Sequence, residues 1–590
     1  MFFCLAIVAV YLPCAVFVFG VHNDPDQIFA KLPGPLYHEA AHLFSIARPV
    51  AAVLSHLPLI LAQDLDDFRY GRIFSILFVC ATGGAMIAIF ITWMRIRAVH
   101  AAVIATGFFC IPAFIYSIMN ITAWGSHLVA VAMATASYYF LSQSNAHALM
   151  TGLNLRDGRG FWPLWNYLRM RPVSTAVLFF QLGMLAYPPN AFALCIFPVA
   201  LVLFSRLGAG WRMALALRDT AFVIGNIVFY FVATKFLYFP VGRLLGIVAP
   251  IADAGSGSEY RFAVDLDLPH VLGKLLQALT VSADLWLLPN FHAVAATALA
   301  AIALAAGVIL IGARIVRGGE QAAESLSVAP VPNWVTGAML ILGLLALSVA
   351  PVVLSGGGEI SYRTVVVPTA IVMLVFLFGV HVVGSALGSD EAVRARFEML
   401  LLIPAVATMA GATVYSVTAT IKLCQNEFAY VSGLIEHARR SGNQALVIFD
   451  SRSSFMPHDI PVGYDERRRA IVPYELGCYS TYCLPYRGIY AVAEKSLGMR
   501  GLRWEIFRGA ETKDLTCAAF AGSSAFLPDD AGEILKRRIQ AVRQFSRGQA
   551  YCVQYDLAWH DLAWRGGYWS GKPYSDIGSS LWGWLLPKAG

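Results

Sequence analysis

The acidic residues best suited to chemistry are concentrated in one polar stretch near the N-terminus, residues 22–72. Asp24 and Asp26 come soon after a first apolar segment, and Glu39 lies later in the same stretch. Carboxylates held at a membrane surface can deprotonate a hydroxyl group or bind a divalent cation. The pattern predicts Asp24 or Asp26 as a catalytic base or metal ligand, and Glu39 as the next candidate for the base.

Basic and aromatic residues that could bind a phosphate accompany these acids. An arginine can hold a phosphate through two parallel hydrogen bonds. The candidates for substrate or phosphate binding are His38, His42, Arg48, Arg72, Tyr362 and Arg363. Two alternatives stay open. The acids could belong to an ordinary solvated loop, since Asp-Pro favours a turn, and the Tyr-Arg pair could be an anchor at the membrane interface.

The composition indicates a membrane protein. Of the 590 residues, 58% are hydrophobic and 13% are charged, whereas a soluble globular protein carries about twice that charged fraction. Long apolar stretches alternate with short polar ones up to about residue 420, after which the composition becomes ordinary. The net charge of +7 comes from scattered Lys and Arg without a basic run, which argues against nucleic acid as a partner.

Segments of about 20 apolar residues predict the helices that cross the membrane. Because Arg-bearing linkers follow every second segment, the N-terminus and these linkers are expected in the cytoplasm, with the intervening linkers and the tail outside. The first segment lacks a basic start and a cleavage site, which favours a retained helix. The segments are 2–21, 73–94, 99–119, 124–142, 173–187, 190–205, 220–240, 290–313, 334–354, 364–384 and 399–420.

Five features inside or beside these segments have structural interpretations. Segment 49–63 is too short to span and is expected at the interface or as a re-entrant piece. Trp124 is interpreted as a residue of the interfacial aromatic belt, and His127 as a packed, hydrogen-bonded residue. Asn226 is equally a candidate functional residue and a contact between helices. Lys235 is a candidate functional charge within a span, but its place near a helix end favours a side chain that reaches to the interface.

The expected fold is mainly α. The chain is interpreted as a polytopic membrane protein with a bundle of about eleven transmembrane helices over residues 1–420 and an extracytoplasmic mixed α/β domain over 421–590. Two long outer loops are expected, over 22–72 and 241–289. The tail contains one clear strand pattern at 445–449 and helical patterns at 429–440 and 530–546. Since cysteines outside the cytoplasm commonly form disulfides, pairing is expected among Cys478, Cys483, Cys517 and Cys552, with metal ligation as the weaker alternative.

The first outer loop resembles that of the membrane-embedded GT-C glycosyltransferases. The similarity is greatest to the O-antigen glucosyltransferases related to the phage serotype-converting enzymes. In that group an acidic pair follows the first helix, and a Gly-Arg-Pro-like turn comes later in the loop. Here the pair is Asp24 and Asp26, and the turn is Ala47-Arg48-Pro49, with alanine at the position of the glycine.

This resemblance implies a GT-C-like bundle and a reaction on the outer side of a bacterial inner membrane. A polyprenyl-phosphate donor would supply a sugar such as glucose, and the acceptor would be a surface polysaccharide or a lipid-linked glycan, such as lipopolysaccharide O-antigen. An acid of the first outer loop would deprotonate the acceptor hydroxyl. The sequence makes no cofactor certain, but a Mg²⁺ or Mn²⁺ ion would be bound by Asp24 and Asp26.

Two other functions remain open at this point. A polymerase or ligase of O-antigen or exopolysaccharide would share the membrane location and the basic outer sites. A transporter or flippase for lipids or solutes should have inverted repeats and charged residues deep within several helices. The sequence has few such charges and no visible repeat, which counts against transport.

Overall fold

The computed structural model of the chain is mostly helical. Its contacts divide the chain into two compact units. The first is formed by Met1–Ala15, Leu36–Leu61 and Tyr70–Thr413, and the second by Val16–Pro35, Ala62–Arg69 and Val414–Gly590. The residues that the structure describes are 1–17, 43–44, 46–54, 67–119, 124–150, 171–244, 267–282, 331–354, 364–387, 401–421, 432–443, 445–450, 503–508 and 550–555.

Most of the described helices follow the apolar segments of the sequence, because a helix satisfies all of its interior backbone groups without water. The helix Leu268–Ser282 is an exception, since it lies within 241–289, which was expected to be an outer loop. Three turns of π-helix, at Trp124–Leu128, Thr234–Tyr238 and Ser416–Ile421, adjoin the α-helices. The helices are α1 (Phe2–Val16), α2 (Pro49–Leu54), α3 (Phe68–Thr92), α4 (Ala98–Cys110), α5 (Pro112–Met119), α6 (Val129–Met150), α7 (Arg171–Ala186), α8 (Pro188–Ala191), α9 (Ile196–Phe204), α10 (Ala209–Ala233), α11 (Phe239–Leu244), α12 (Leu268–Ser282), α13 (Val331–Val353), α14 (Val366–Leu387) and α15 (Leu402–Tyr415).

Three helical stretches among the described residues are long and apolar enough to cross a membrane: Phe68–Thr92, Gly210–Leu244 and Thr336–Val353. Large apolar side chains stand exposed on them, and Phe236 and Leu237 are 71% and 63% exposed. Soluble proteins rarely expose continuous apolar surface, so these faces fit contact with lipid. The segment predicted at 290–313 lies outside the described residues, and the count of about eleven spans stays a prediction.

The segment predicted as one span over 99–119 is two helices in the structure, α4 and α5. The break falls at Ile111, whose backbone is extended with ψ at 151°. Proline disfavours helical geometry in the residue before it and has no N–H to donate, so Pro112 ends one helix and starts the next. The predicted segment is therefore interrupted at its proline, and its crossing of a membrane stays a prediction.

Polar side chains connect the helices of the first unit. Gln181 on α7 donates from Nε2 to the backbone oxygen and to Oδ1 of Asn226 on α10, at 3.0 and 3.1 Å. Such bonds between helices stabilise membrane bundles modestly, and the interpretation of Asn226 as a contact between helices is confirmed. Lys235 is exposed in the π-turn after α10, beside the exposed Phe236 and Leu237, and its reach to the membrane interface stays a prediction.

The described part of the second unit includes a helix over 432–440 and a three-stranded sheet. The strands are β1 (Ala445–Asp450), β2 (Arg503–Arg508) and β3 (Ala550–Tyr555), in the order β2-β1-β3. Both pairings are parallel, with Ala445 opposite Arg503 and Ala550. The successive β1 residues Leu446 and Val447 are both fully buried, so this central strand is covered on both faces.

Candidate functional site

The Ala47-Arg48-Pro49 turn joins a helical stretch that includes Leu43 and Phe44 to α2. Ala47 has a φ of 58°, in the left-handed region that glycine favours. Its N–H donates to the Phe44 oxygen at 3.1 Å, and the Arg48 N–H donates to the Leu43 oxygen at 2.9 Å. Bonds of this kind end a helix with a left-handed residue, after which Pro49 starts α2 with its φ already suited to a helix.

Two parts of the helical bundle hold this turn. Ala47 is fully buried against Phe239, with Tyr238 packed on the same cluster. The Tyr238 hydroxyl donates to the Phe44 oxygen at 2.8 Å, which fixes the residues just before the turn. On α2, Val50 packs against Ala130, Ala186 and Tyr187 where α6 begins and α7 ends. The position of Arg48 is therefore set by contacts from both neighbouring residues.

Arg48 is half-buried and faces an aromatic ring. Its guanidinium carbon lies 4.5 Å from the centroid of the Tyr187 ring, within the range of a cation–π interaction. A guanidinium on such an aromatic surface keeps its charge and its planar set of donors, which suits it to bind a phosphate group.

The Tyr187 ring also contacts His127, and their centroids are 4.0 Å apart. His127 is buried, and its Nδ1 is 3.0 Å from the Ser117 hydroxyl oxygen. Its backbone oxygen accepts a hydrogen bond of 3.2 Å from Nδ2 of the buried Asn190. His127 is thus packed and hydrogen-bonded as expected, and it supports Tyr187 behind Arg48.

Arg72 on α3 lies in a different environment. Its side chain is fully buried, and Nε donates to the Met119 oxygen at 3.1 Å. A helix such as α5 leaves its last carbonyl groups without partners in the helix, so Arg72 satisfies one of them. The geometry gives Arg72 a structural contact, and its predicted binding to a phosphate stays a prediction.

The interpretation of Trp124 as an interfacial belt residue was wrong. Trp124 is 8% exposed and lies against two phenylalanines of α3, with ring centroids 5.2 Å from Phe74 and 5.8 Å from Phe78. Both pairs have the edge-to-face geometry typical of packed aromatic rings. A belt residue would instead turn its ring toward the lipid headgroups. The sequence could not identify the two rings from α3 that cover it.

The other predicted site residues lie outside the described residues. Within the described part of the chain, no group of three or more His, Cys, Asp or Glu side chains could hold a metal ion. Arg48 and Arg72 are therefore the two candidates whose surroundings are described. The remaining ones are Asp24, Asp26, His38, Glu39, His42, Tyr362 and Arg363.

A buried carboxylate on α10 was missed by the sequence analysis. Asp219 is fully buried, accepts a hydrogen bond of 2.8 Å from the Tyr138 hydroxyl on α6, and forms an ion pair with Arg218. Tyr138 in turn stacks on Phe197 with centroids 4.3 Å apart. An acid next to the start of an apolar segment could have been noticed as an intramembrane charge. The paired geometry indicates a contact that positions α10 against α6.

Comparisons with known proteins add no relative to this description. No protein-family model matches the chain, no curated protein matches it, and no solved structure matches its fold. The functional argument therefore depends on the residues of the turn, on the arginine that it presents and on the apolar helices around it.

Proposed function

We propose that the chain is a membrane-embedded glycosyltransferase of GT-C type. It transfers a sugar from a polyprenyl-phosphate donor to a surface polysaccharide or its lipid-linked precursor. The proposal includes a bundle of about eleven transmembrane helices in a bacterial inner membrane. It also includes an extracytoplasmic loop over 22–72 and an extracytoplasmic tail from residue 421. The apolar helices with exposed faces and the geometry of the Ala47-Arg48-Pro49 turn support it.

The observation that carries the proposal is the position of Arg48. Ala47 takes the left-handed conformation that a glycine would adopt in a Gly-Arg-Pro turn. The turn then places a half-buried guanidinium on the face of Tyr187. A lipid-linked phosphate has an anionic head and an apolar tail. The Arg48 guanidinium can bind the phosphate, and the Tyr187 ring beside it can contact the apolar part. Partial burial lowers the local dielectric and strengthens the attraction between guanidinium and phosphate.

The proposed reaction assigns a role to each group. Asp24, Asp26 or Glu39 removes the proton from the acceptor hydroxyl, and the oxygen attacks the anomeric carbon of the donor sugar. The bond between that carbon and the phosphate oxygen breaks, and polyprenyl phosphate leaves. Arg48 stabilises the negative charge that grows on the leaving phosphate, so it contributes more in the transition state than in the ground state.

The test is the mass and chain-length profile of surface glycans in a deletion strain complemented with single variants. Arg48→Gln should lower transfer by roughly 10- to 100-fold, as expected for losing a hydrogen bond to a charged group. Arg48→Lys should retain part of the transfer, since it keeps the charge without the planar pair of donors. Lys235→Gln is the matched control, because it removes an exposed cation that lies outside the turn.

The same strains should include Asp24→Asn, Asp26→Asn and Glu39→Gln, with the amount of each protein in the membrane measured. Loss of one sugar from each repeat, with Arg48→Gln and one acid variant failing to restore it, supports the transfer reaction. Shortened chains made of intact repeats would support a polymerase instead. Unchanged glycans in the deletion strain, or full restoration by every variant, would contradict the proposed reaction.

A further inference from the structure

Two linkers of the first unit are joined side by side, the one between α3 and α4 and the one between α9 and α10. The Ser205 hydroxyl donates to the Met94 oxygen at 2.7 Å and accepts from the Leu207 N–H at 3.1 Å. Arg212 on α10 donates from Nη1 to the Ser205 oxygen at 3.3 Å. These bonds hold the two linkers in one fixed arrangement.

A helix begins at each of these linkers. Arg97 is the N-cap of α4 and Gly208 is the N-cap of α10, and neither makes a side-chain hydrogen bond to cap the helix. The first turn of each helix also lacks an acidic residue. Free N–H groups and the helix dipole give a helix start a partial positive charge. Two such starts therefore contribute positive potential at neighbouring points.

Arginine side chains add full positive charges at the same place. Arg95 has a φ of 55° and is exposed, as is Arg206 on the other linker. The described ion pairs Arg218–Asp219 and Arg440–Glu436 involve neither Arg95 nor Arg206. We call the surface formed by Arg95, Arg206 and Arg212 the basic face. It has an excess of cations that an anion could neutralise.

A buried histidine next to the basic face has an unsatisfied polar atom. His100, in the first turn of α4, is 4% exposed, and its Nε2 has no hydrogen-bond partner. Its ring lies 5.8 Å from that of Phe204, the residue directly before Ser205, and 4.7 Å from that of His381. Buried polar atoms nearly always have a partner. Nδ1 of the neighbouring His381 also has no hydrogen-bond partner, so two polar atoms are left unsatisfied near these linkers.

The surroundings of the basic face favour a lipid over a soluble anion. Trp211, next to Arg212, is 52% exposed, and Val99 and Leu217 are 49% and 50% exposed. Exposed tryptophan beside arginine is typical of the zone where lipid headgroups meet acyl chains. A phospholipid would place its phosphate at the arginines and its chains along the apolar side chains.

We propose that the basic face binds the phosphate headgroup of an anionic membrane lipid. Arg95 and Arg206 contact the phosphate, the two helix starts add to the attraction, and Trp211 packs against the glycerol and acyl region. This site is separate from the Ala47-Arg48-Pro49 turn and does not depend on the proposed glycosyl transfer.

The experiment measures lipid binding to the purified full-length chain in a neutral detergent by native mass spectrometry. Phosphatidylglycerol should bind in preference to phosphatidylcholine of the same chain length. Because a cation near an anionic lipid contributes about fivefold in affinity, Arg95→Gln with Arg206→Gln should weaken phosphatidylglycerol binding roughly 25-fold. Lys235→Gln, which removes one exposed cation outside the basic face, should bind like the wild type.

Three results would overturn the proposal. The first is equal binding of the two lipids by the wild type, and the second is unchanged phosphatidylglycerol binding by the folded double variant. The third is displacement of phosphatidylglycerol by an equal concentration of inorganic phosphate, which would make the site one for a soluble anion. If the double variant does not fold, the wild type is measured at low and at high salt. The preference for phosphatidylglycerol should disappear at high salt, because salt screens exposed charges, and a preference that persists would contradict the proposal.

Discussion

The Arg48 guanidinium carbon lies 4.5 Å from the centre of the Tyr187 ring, and Tyr187 contacts His127 as well. The ring thus connects an arginine of the turn before α2 with a histidine of the π-helical turn Trp124–Leu128, which directly precedes α6. Through this contact, Tyr187 after α7 and His127 before α6 help to orient the Arg48 side chain. The predictions for Arg48 can therefore be tested from its aromatic partner without changing the charge.

Tyr187→Leu should weaken donor binding in the transfer reaction, whereas Tyr187→Phe should leave it unchanged. A cation–π contact stabilises its partners by about 0.5–2 kcal/mol, so its loss should lower donor affinity about 2- to 30-fold. Phenylalanine keeps the face of the ring and should preserve the contact with Arg48. The measurement is the transfer rate against donor concentration for both variants. Equal donor dependence in the two would show that the ring does not position the arginine.

The Ala47→Gly variant should be more stable than the Ala51→Gly variant, although both replace a buried alanine by glycine. A left-handed φ disfavours alanine by about 1–2 kcal/mol, which offsets the loss of about 0.8 kcal/mol from one buried methyl group at Ala47. Ala51 is also fully buried but lies in α2, where glycine is about 1 kcal/mol less favourable. Thermal unfolding in detergent should place the Ala47→Gly variant above Ala51→Gly. The reverse order would contradict the left-handed turn.

Asp219→Leu should lower the free energy of unfolding by roughly 3 kcal/mol, since breaking a buried ion pair leaves its partner poorly compensated. Tyr138→Phe removes one hydrogen bond to the same carboxylate and should lower it by about 1 kcal/mol. Glu436→Gln is the control, because the Glu436–Arg440 pair is exposed and should contribute little. Thermal unfolding and the yield of monodisperse protein measure all three. A Leu variant as stable as the control would exclude a structural role for Asp219.

Arg72→Met should mainly lower the stability of the protein, whereas Arg48→Met should mainly lower sugar transfer. Removing Arg72 leaves the Met119 oxygen without its donor, which should lower the free energy of unfolding by about 1–3 kcal/mol. Arg48 is only half-buried, so its replacement should mainly lower transfer. Thermal unfolding and glycan profiles, measured on the same variants, decide between the roles. An Arg72→Lys variant with full stability but no transfer would make Arg72 a phosphate ligand.

The helices were the part of the fold that the sequence could predict. Length and apolar composition suffice for a segment such as 334–354, because a lipid environment leaves few alternatives to a helix. Interruptions depend on single residues, and Pro112 divides a segment that is otherwise apolar throughout. The strand at 445–449 was also predicted correctly, but its two neighbours lie far along the chain and left no local signal.

The candidate site was predictable only in part. The turn could be located from its Arg-Pro sequence, and the left-handed Ala47 agrees with a glycine-like position. Tyr187 could not be assigned to Arg48, since nothing in a sequence relates residues so far apart. Asp219 could have been noticed as an acid beside an apolar segment, but its partner Tyr138 could not, because it is 81 residues away. Trp124 was misjudged because the rings that cover it come from another helix.

The order of the strands has a consequence for when the tail can fold during synthesis. β1 is the central strand, yet both of its parallel partners are made after it, and β3 follows about a hundred residues later. At about 5–20 residues per second, the ribosome needs several seconds or more to supply that last strand. During this interval one edge of β1 has no final partner, and an unpaired strand edge can join another chain. A chaperone that covers this edge would raise the yield of the full-length protein most when translation is slow.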